Sequence, residues 1–131
     1  MTQRSSQRTK KRDKKASIYS VVDLETTGTN VNHGDRIIQI GCVLVQDGEI
    51  MNHFETKINP REKIPRSIVQ LTGIEDKDVR KAPLFEDIAG TIYSLLAETT
   101  FVAHNVNFDF PFLNAELERA GYPSLSIPAI D

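Results

Sequence analysis

The sequence predicts an α/β fold in which a mixed sheet carries helices. Three segments with strand character, joined by turn signals, come first, and that pattern is typical of an antiparallel meander. Helical and strand patterns then alternate, which indicates further strands in the same sheet with helices packed on it. With 131 residues, 39% of them hydrophobic and 26% charged, the chain has the length and composition of one small globular domain.

Three strands are predicted in the first half of the domain. Ile18–Leu24 is an apolar run that predicts a buried strand, and a polar turn over residues 26–30 ends it. Arg36–Val45 is the second strand, and Glu49–Ile58 returns beside it. The Asp47-Gly48 pair between them is a hairpin signal, so we expect an antiparallel meander.

Helices and one more strand are predicted in the second half. The last helix ends at Gly121, and Pro111 falls in its first turn, where a missing N–H is tolerated. We expect residues 127–131 to lead into an element outside the chain. The predicted elements are two short helices, one longer amphipathic helix, a strand and a final helix, over Pro65–Leu71, Asp76–Lys81, Leu84–Leu96, Thr100–His104 and Phe108–Ala120.

Charge is distributed unevenly along the chain. Residues 1–16 hold seven basic residues and one acid, whereas the rest holds nine basic and 17 acidic residues. Because residues 1–16 are almost free of apolar side chains, we expect a disordered basic tail followed by one domain over residues 17–131. The tail fits a solubilising leader better than a phosphate-binding arm. An acidic body does not bind nucleic acid by bulk charge, but it suits a site for hard divalent cations.

The sequence excludes sites that need several cysteines, and it predicts no membrane-spanning segment. Cys42 is the only cysteine, so an intramolecular disulfide is impossible and a thiolate zinc site lacks ligands. No apolar run approaches the ~20 residues needed to cross a bilayer, and no apolar signal core follows the basic N-terminus. We therefore expect a cytoplasmic protein that does not associate with membranes.

Two carboxylates stand at the end of the first predicted strand. Asp23 and Glu25 are two residues apart, so strand alternation places both on one face. Like charges beside an apolar sheet repel each other and lose hydration, and a cation, a proton or hydrogen-bond donors must compensate them. The alternative is one exposed acid and one acid bonded to the following turn.

A third acid follows the fourth predicted strand. Asp109 lies in the first turn of the last helix, where the helix dipole alone would favour an acid. Strands of one sheet bring distant segments together, so Asp109 can also lie beside Asp23 and Glu25. Three carboxylates form an oxygen-only site of the kind that Mg²⁺ and Mn²⁺ prefer.

Several motifs in order resemble the DEDD, or DnaQ-like, 3′–5′ exonucleases over residues 18–131. Within that family, the chain most resembles the N-terminal exonuclease domain of bacterial DinG-type helicase–nucleases, with the proofreading exonucleases of bacterial replicative polymerases second. The resemblance implies a ribonuclease-H-like mixed sheet. The matching segments are Val22–Gly28, Leu71–Ile74, Ala82-Pro83, Phe85 and His104–Asp109.

The resemblance also implies roles for individual residues. Asp23, Glu25 and Asp109 would be the catalytic residues and would hold two Mg²⁺ or Mn²⁺ ions, with Asp23 touching both. The substrate would be the 3′ end of single-stranded nucleic acid, with DNA favoured over RNA. The residues that would line the substrate cleft are Thr26, Thr27, Gly28, Leu71, Thr72, His104, Asn105 and Phe108.

The family's third motif, a general-base histidine followed five residues later by a fourth metal-binding aspartate, is not matched. Asp131 is not that aspartate, because Ser126 stands five residues before it. We therefore expect a domain that is C-terminally incomplete, poorly active as it stands, and followed in its parent protein by a helicase or polymerase part. The alternative is a degenerate ribonuclease-H-like module that binds nucleic acid or a partner without catalysis.

Overall fold

The computed structural model describes residues 17–131 and contains one five-stranded sheet with helices. The order across the sheet is β3-β2-β1-β4-β5. The strands are β1 Ile18–Thr26, β2 Ile37–Gln46, β3 Glu49–Lys57, β4 Thr100–Val102 and β5 Ala129–Ile130. The helices are α1 Arg66–Thr72, α2 Asp76–Val79, α3 Phe85–Leu96 and α4 Val106–Arg119, with a 3₁₀ turn over Val31–His33.

The topology confirms the predicted mixed sheet. β1, β2 and β3 pair antiparallel in sequence order, and β4 and β5 run parallel to β1 on its other side. Asp47 and Gly48 both have positive φ, 54° and 78°. This is the conformation of a two-residue hairpin turn whose twist matches its strands.

Three expectations need correction. Residues 127–131 do not merely approach another element, because Ala129 and Ile130 already pair with Phe101 and Val102 as β5. The final helix begins at Val106 rather than Phe108. Pro111 therefore lies inside the helix and not in its first turn, and it cannot donate an intrahelical hydrogen bond.

A fourth correction concerns β1, which the sequence predicts as a buried strand and which is buried on one face only. Ser20, Val22 and Leu24 are buried on the face covered by α3 and α4. Tyr19 and Val21 lie on the opposite face, each 42% exposed. The core consists of strand residues packed against the two long helices. Its strand members include Ile40, Cys42 and Phe101, and its helix members include Phe85, Ala89, Ile92, Leu96, Phe112, Leu113 and Leu117.

A second, smaller cluster holds α1 and α2 against the start of β2. Ile38, Ile64, Ile74 and Val79 are its buried members. The carboxyl ends of β1 and β4 are neighbours at the same edge of the sheet, since these two strands are parallel. This edge therefore brings the residues that follow β4 next to the end of β1.

Cys42 is buried in β2, and burial raises the pKa of its thiol to about 11. Within residues 17–131, none of the helices combines the length and apolarity that a bilayer crossing demands. The predicted basic tail over residues 1–16 lies outside the described residues.

Candidate active site

Asp23 and Glu25 occupy the open face at the end of β1, as the alternation predicts. Asp23 is exposed, and Gly41 lies directly opposite it on β2, so no side chain from that position covers it. Burial and the neighbouring charge of Asp23 raise the pKa of Glu25. The register of β1 against β2 shifts between Glu25 and Thr26. The strand therefore ends in an irregularity immediately after its two acids, as bulges near functional sites often do.

Asp109 reaches the same place from α4. Its side chain is 8% exposed, and burial followed by the charge of Asp23 raises its pKa to about 6, with Glu25 adding to the rise. The backbone N–H of Leu24 and the nearby His104 lower the pKa in part. The structure therefore brings Asp109 within electrostatic range of Asp23 and Glu25.

The end of α4 that carries Asp109 is anchored from β5. The carboxylate Oδ1 of Asp131 accepts a hydrogen bond of 2.9 Å from the backbone N–H of Val106. That N–H is one of the unpaired donors at the helix N-terminus. Asn105 occupies the N-cap position without a side-chain bond to the helix, so Asp131 performs the capping.

The three acids supply the donor atoms that a hard divalent cation takes, but they are not gathered closely around one point. All their donor atoms are carboxylate oxygens, which are the ligands that hard cations take. Over residues 17–131, however, no three His, Cys, Asp or Glu side chains are gathered closely enough to hold an ion.

The turn after β1 is held by its own polar contacts. Thr27 is buried and donates to Glu62 at 3.0 Å, while its oxygen accepts the Arg36 backbone N–H at 2.9 Å. Thr26 donates to the carbonyl oxygen of Gly28 at 2.7 Å. A Cβ at Gly28 would collide with the Asp35 carboxylate, so a side chain at this position would force that carboxylate to move. Thr27 thus serves the turn itself, and Thr26 and Gly28 are more accessible.

The remaining cleft candidates are placed differently from one another. Leu71, near the end of α1, is 78% exposed, and Thr72 beside it bonds to Ile68 and Ile74. His104 is exposed and acts electrostatically on Asp109. Phe108 is half-buried with its ring centroid 5.3 Å from that of Phe112. His104 and Phe108 therefore lie on the loop and helix that carry Asp109, whereas Leu71 and Thr72 lie at the end of α1.

Comparison with known proteins places this geometry in a family. The family described as exonuclease, RNase T, matches residues 20–130. The chain belongs to the RNase T exonuclease family. Exonucleases hydrolyse terminal phosphodiester bonds, and members of this family depend on metal ions. The resemblance to DnaQ-like exonucleases is thereby confirmed.

Curated relatives of this exonuclease domain are much longer proteins. It is 43% identical over 104 residues to the 3′-5′ exonuclease DinG of Bacillus subtilis (strain 168), covering 79% of this chain and 11% of that protein. It is 39% identical over 120 residues to a PolC-type DNA polymerase III of Staphylococcus haemolyticus, covering 92% and 8%. The chain thus spans about a tenth of the length of these relatives.

Solved structures show the same fold. E. coli exonuclease I, in a zinc-bound complex with single-stranded DNA, superposes with a TM-score of 0.77 at 21% identity. The match covers 88% of this chain and 28% of that one. The exonuclease domain therefore has the ribonuclease-H-like fold that its sequence predicts.

Sequence reasoning missed the polar residues that hold α4 and the turn after β1 in this exonuclease domain. Glu116 lies two turns after Asp109 on α4 and is 1% exposed, bound by Arg36 from the start of β2. Glu62 and Asp35 support Thr27. The one available signal was an acid seven residues after Asp109, on the same side of the helix.

Proposed function

We propose that this domain is a 3′–5′ exonuclease that uses two Mg²⁺ or Mn²⁺ ions to hydrolyse the terminal phosphodiester of single-stranded nucleic acid, with DNA favoured. The observation that carries the proposal is the electrostatic coupling of Asp109 to Asp23 and Glu25 at one sheet edge, in a chain of the exonuclease family. A cytoplasmic location belongs to the same proposal.

The three acids are the proposed catalytic residues. Asp23 would touch both ions, Glu25 one and Asp109 the other. Bound cations would lower the pKa of an attacking water and offset the charge that develops on the phosphate. The protein's own contribution is to hold three carboxylates near each other, at the cost of raising the pKa values of Glu25 and Asp109.

Apolar side chains that are partly or largely exposed are the proposed contacts for the terminal nucleotide. Leu71 is 78% exposed, so its side chain contributes little to the core and is free to contact a base or sugar. Phe108 presents a partly exposed ring at the start of α4, near Asp109. Base–aromatic stacking is tolerant of sequence and suits an enzyme that removes any nucleotide. Thr26, Gly28, Thr72, His104 and Asn105 complete the proposed cleft, with Thr27 holding its turn.

The direction and the strand preference follow from the relatives. The Bacillus subtilis relative is named a 3′-5′ exonuclease, and the structural neighbour is a complex with single-stranded DNA. Because the relatives are DinG and PolC-type proteins, we propose that a helicase or polymerase part belongs to the same protein.

The open spacing of the acids favours a second candidate function. Since no three potential ligands over residues 17–131 are close enough to hold an ion, the domain could bind nucleic acid or a partner without cleaving it. This module would bind a single strand equally well with and without divalent cations. It would leave that strand intact.

Calorimetric titration with Mn²⁺ tests the main proposal. We expect weak binding by the wild-type domain and none by Asp23→Ala, because removing Asp23 deprives both ions of a ligand. Asp47→Asn is the matched control, since Asp47 is an exposed acid in the β2–β3 turn with positive φ that asparagine tolerates. Equal binding by wild type and Asp23→Ala would contradict the proposed metal site.

An oligonucleotide assay tests the reaction itself. With a 5′-labelled single strand and Mn²⁺, we expect slow shortening from the 3′ end that Asp109→Ala abolishes. Activity should be weak because the third motif's histidine has no match in the 131 residues. Metal-independent binding with no shortening would instead support the non-catalytic module.

A further inference from the structure

We propose that Glu116 is a positioning residue for the exonuclease reaction. Its buried carboxylate, bound by Arg36 and by the backbone of Ile37, holds α4 so that Asp109 stays beside Asp23 and Glu25. This role rests on the proposed function, because it concerns the geometry of the same three acids. Glu116 itself touches neither the proposed ions nor the substrate.

The Glu116 carboxylate is buried and accepts hydrogen bonds from three residues. Its side chain is 1% exposed, and the Nε of Arg36 lies 3.1 Å from each carboxylate oxygen. The backbone N–H of Ile37 donates at 3.0 Å, and the guanidinium of Arg119 donates at 3.2 Å. Donors thus surround a carboxylate that could not otherwise be buried in charged form.

Arg36 connects the Glu116 carboxylate to the turn that follows Asp23 and Glu25. Its backbone N–H donates to the Thr27 hydroxyl at 2.9 Å, and its carbonyl oxygen accepts the Thr27 N–H at 2.8 Å. The next residue, Ile37, pairs with Thr26 at the end of β1. Arg36 therefore links two elements: its side chain binds α4, and its backbone binds the end of β1.

Two polar attachments add direction to the apolar packing of α4. Asp131 holds its first N–H at Val106, and Glu116 holds it ten residues later. Asp109 lies between these points, and seven residues separate it from Glu116, which is about 10 Å along a helix and nearly two full turns. Apolar packing alone tolerates small shifts of a helix, so loss of the attachment at Glu116 would let α4 shift on the sheet, and the Asp109 carboxylate would move relative to β1.

Stability alone is a weak explanation for this ion pair. Replacing a buried ion pair by apolar side chains of similar volume is often neutral or stabilising, because desolvation offsets the attraction. A rigid, directional ion pair fixes the separation between two elements better than an apolar contact does. That property matters where acids on two different elements must hold the same ions.

The test uses Mn²⁺ alone as the probe, with free Mn²⁺ measured by electron paramagnetic resonance. We expect Glu116→Gln, which preserves shape and an acceptor for Ile37, to weaken Mn²⁺ affinity about 10-fold, as losses of such supporting partners do. Arg36→Gln should do the same, and Arg36→Lys, which keeps the charge, should restore part of the affinity. In the nuclease assay kcat should fall while KM changes little.

Ser20→Ala is the matched control for general destabilisation. Ser20 is fully buried at the other end of β1, where it bonds to Thr99 at 2.8 Å. It should lower the melting temperature without changing Mn²⁺ affinity. Unchanged affinity in Glu116→Gln, or an equal loss in Ser20→Ala at the same temperature, would overturn the positioning role. If Glu116→Gln does not fold, the ordering of Arg36→Lys above Arg36→Gln decides. Absence of Mn²⁺ binding by the wild type would overturn the proposed function itself.

Discussion

Removal of the charge on Asp109 should stabilise the metal-free domain at neutral pH. In Asp109→Asn the carbonyl oxygen can still accept the Leu24 N–H, while desolvation of a negative charge and its repulsion by Asp23 disappear. The substitution therefore removes an unfavourable interaction and leaves the shape of the site unchanged.

The magnitude follows from the pKa of Asp109, which rises from 3.8 to about 6. At about 1.4 kcal/mol per pKa unit, this rise corresponds to a penalty of about 3 kcal/mol for the charged form. Asp109 lies at a sheet edge close to exposed Asp23, so water and salt screen part of it. We expect a gain of about 1–2 kcal/mol in the free energy of unfolding.

The sign of the pH dependence is fixed by the same shift. Between pH 3.8 and about 6 the folded state binds the Asp109 proton more tightly than the unfolded state does. The contribution of this group to stability therefore falls as pH rises through that window, and the penalty is complete above it. In Asp109→Asn this fall should be absent.

Urea denaturation in EDTA, at pH 4 and at pH 7, measures the effect. Wild type and Asp109→Asn should differ little at pH 4, and the variant should be more stable at pH 7. Asp47→Asn provides a control for the loss of one carboxylate elsewhere. An Asp109→Asn variant that is no more stable than wild type at pH 7 would refute the account of the clustered acids.

Three further predictions concern the metal, the cleft and the turn. Mn²⁺ at ten times its dissociation constant should stabilise the wild type by about 1.4 kcal/mol in thermal melts, and it should leave Asp23→Ala unchanged. Leu71→Ala should raise KM for single-stranded DNA several-fold in nuclease kinetics while changing stability by less than about 0.5 kcal/mol, because Leu71 is 78% exposed; an unchanged KM would remove it from the cleft. Gly28→Ala should cost about 1–3 kcal/mol in urea denaturation, because its Cβ would meet the Asp35 carboxylate, which the Asn30 N–H holds in place; a loss below about 0.5 kcal/mol would show that the turn yields freely.

Local signals predicted most of the fold. The Asp47-Gly48 turn and the two apolar runs beside it sufficed for the hairpin, since their period and turn chemistry are local properties. The two-residue strand β5 could not be recognised, because its pairing with β4 depends on a contact almost thirty residues away. The start of α4 was predicted too late, because the residue that caps the helix, Asp131, lies 25 residues further along the chain.

The candidate site was predictable only where residues are close in sequence or matched a family motif. Asp23 and Glu25 share a strand face, and Asp109 belongs to a motif. Arg36 and Glu116 are 80 residues apart, and each is an ordinary surface type until the fold brings them together. The burial of Glu116 and its pairing with Arg36 are tertiary properties that neither hydrophobic period nor composition contains.

The single buried thiol makes the domain its own stability reporter. Cys42 sits in β2 with a pKa of about 11, so a thiol reagent at neutral pH meets few thiolates and little accessible sulfur. Labelling then proceeds through transient opening of the strand, and its rate reports the population of opened molecules. The labelling rate of Cys42 would rank variants of Glu116, Ser20 and Asp109 by stability at the temperature of the metal-binding experiment. Stability and Mn²⁺ affinity would then come from the same sample, with no added label site.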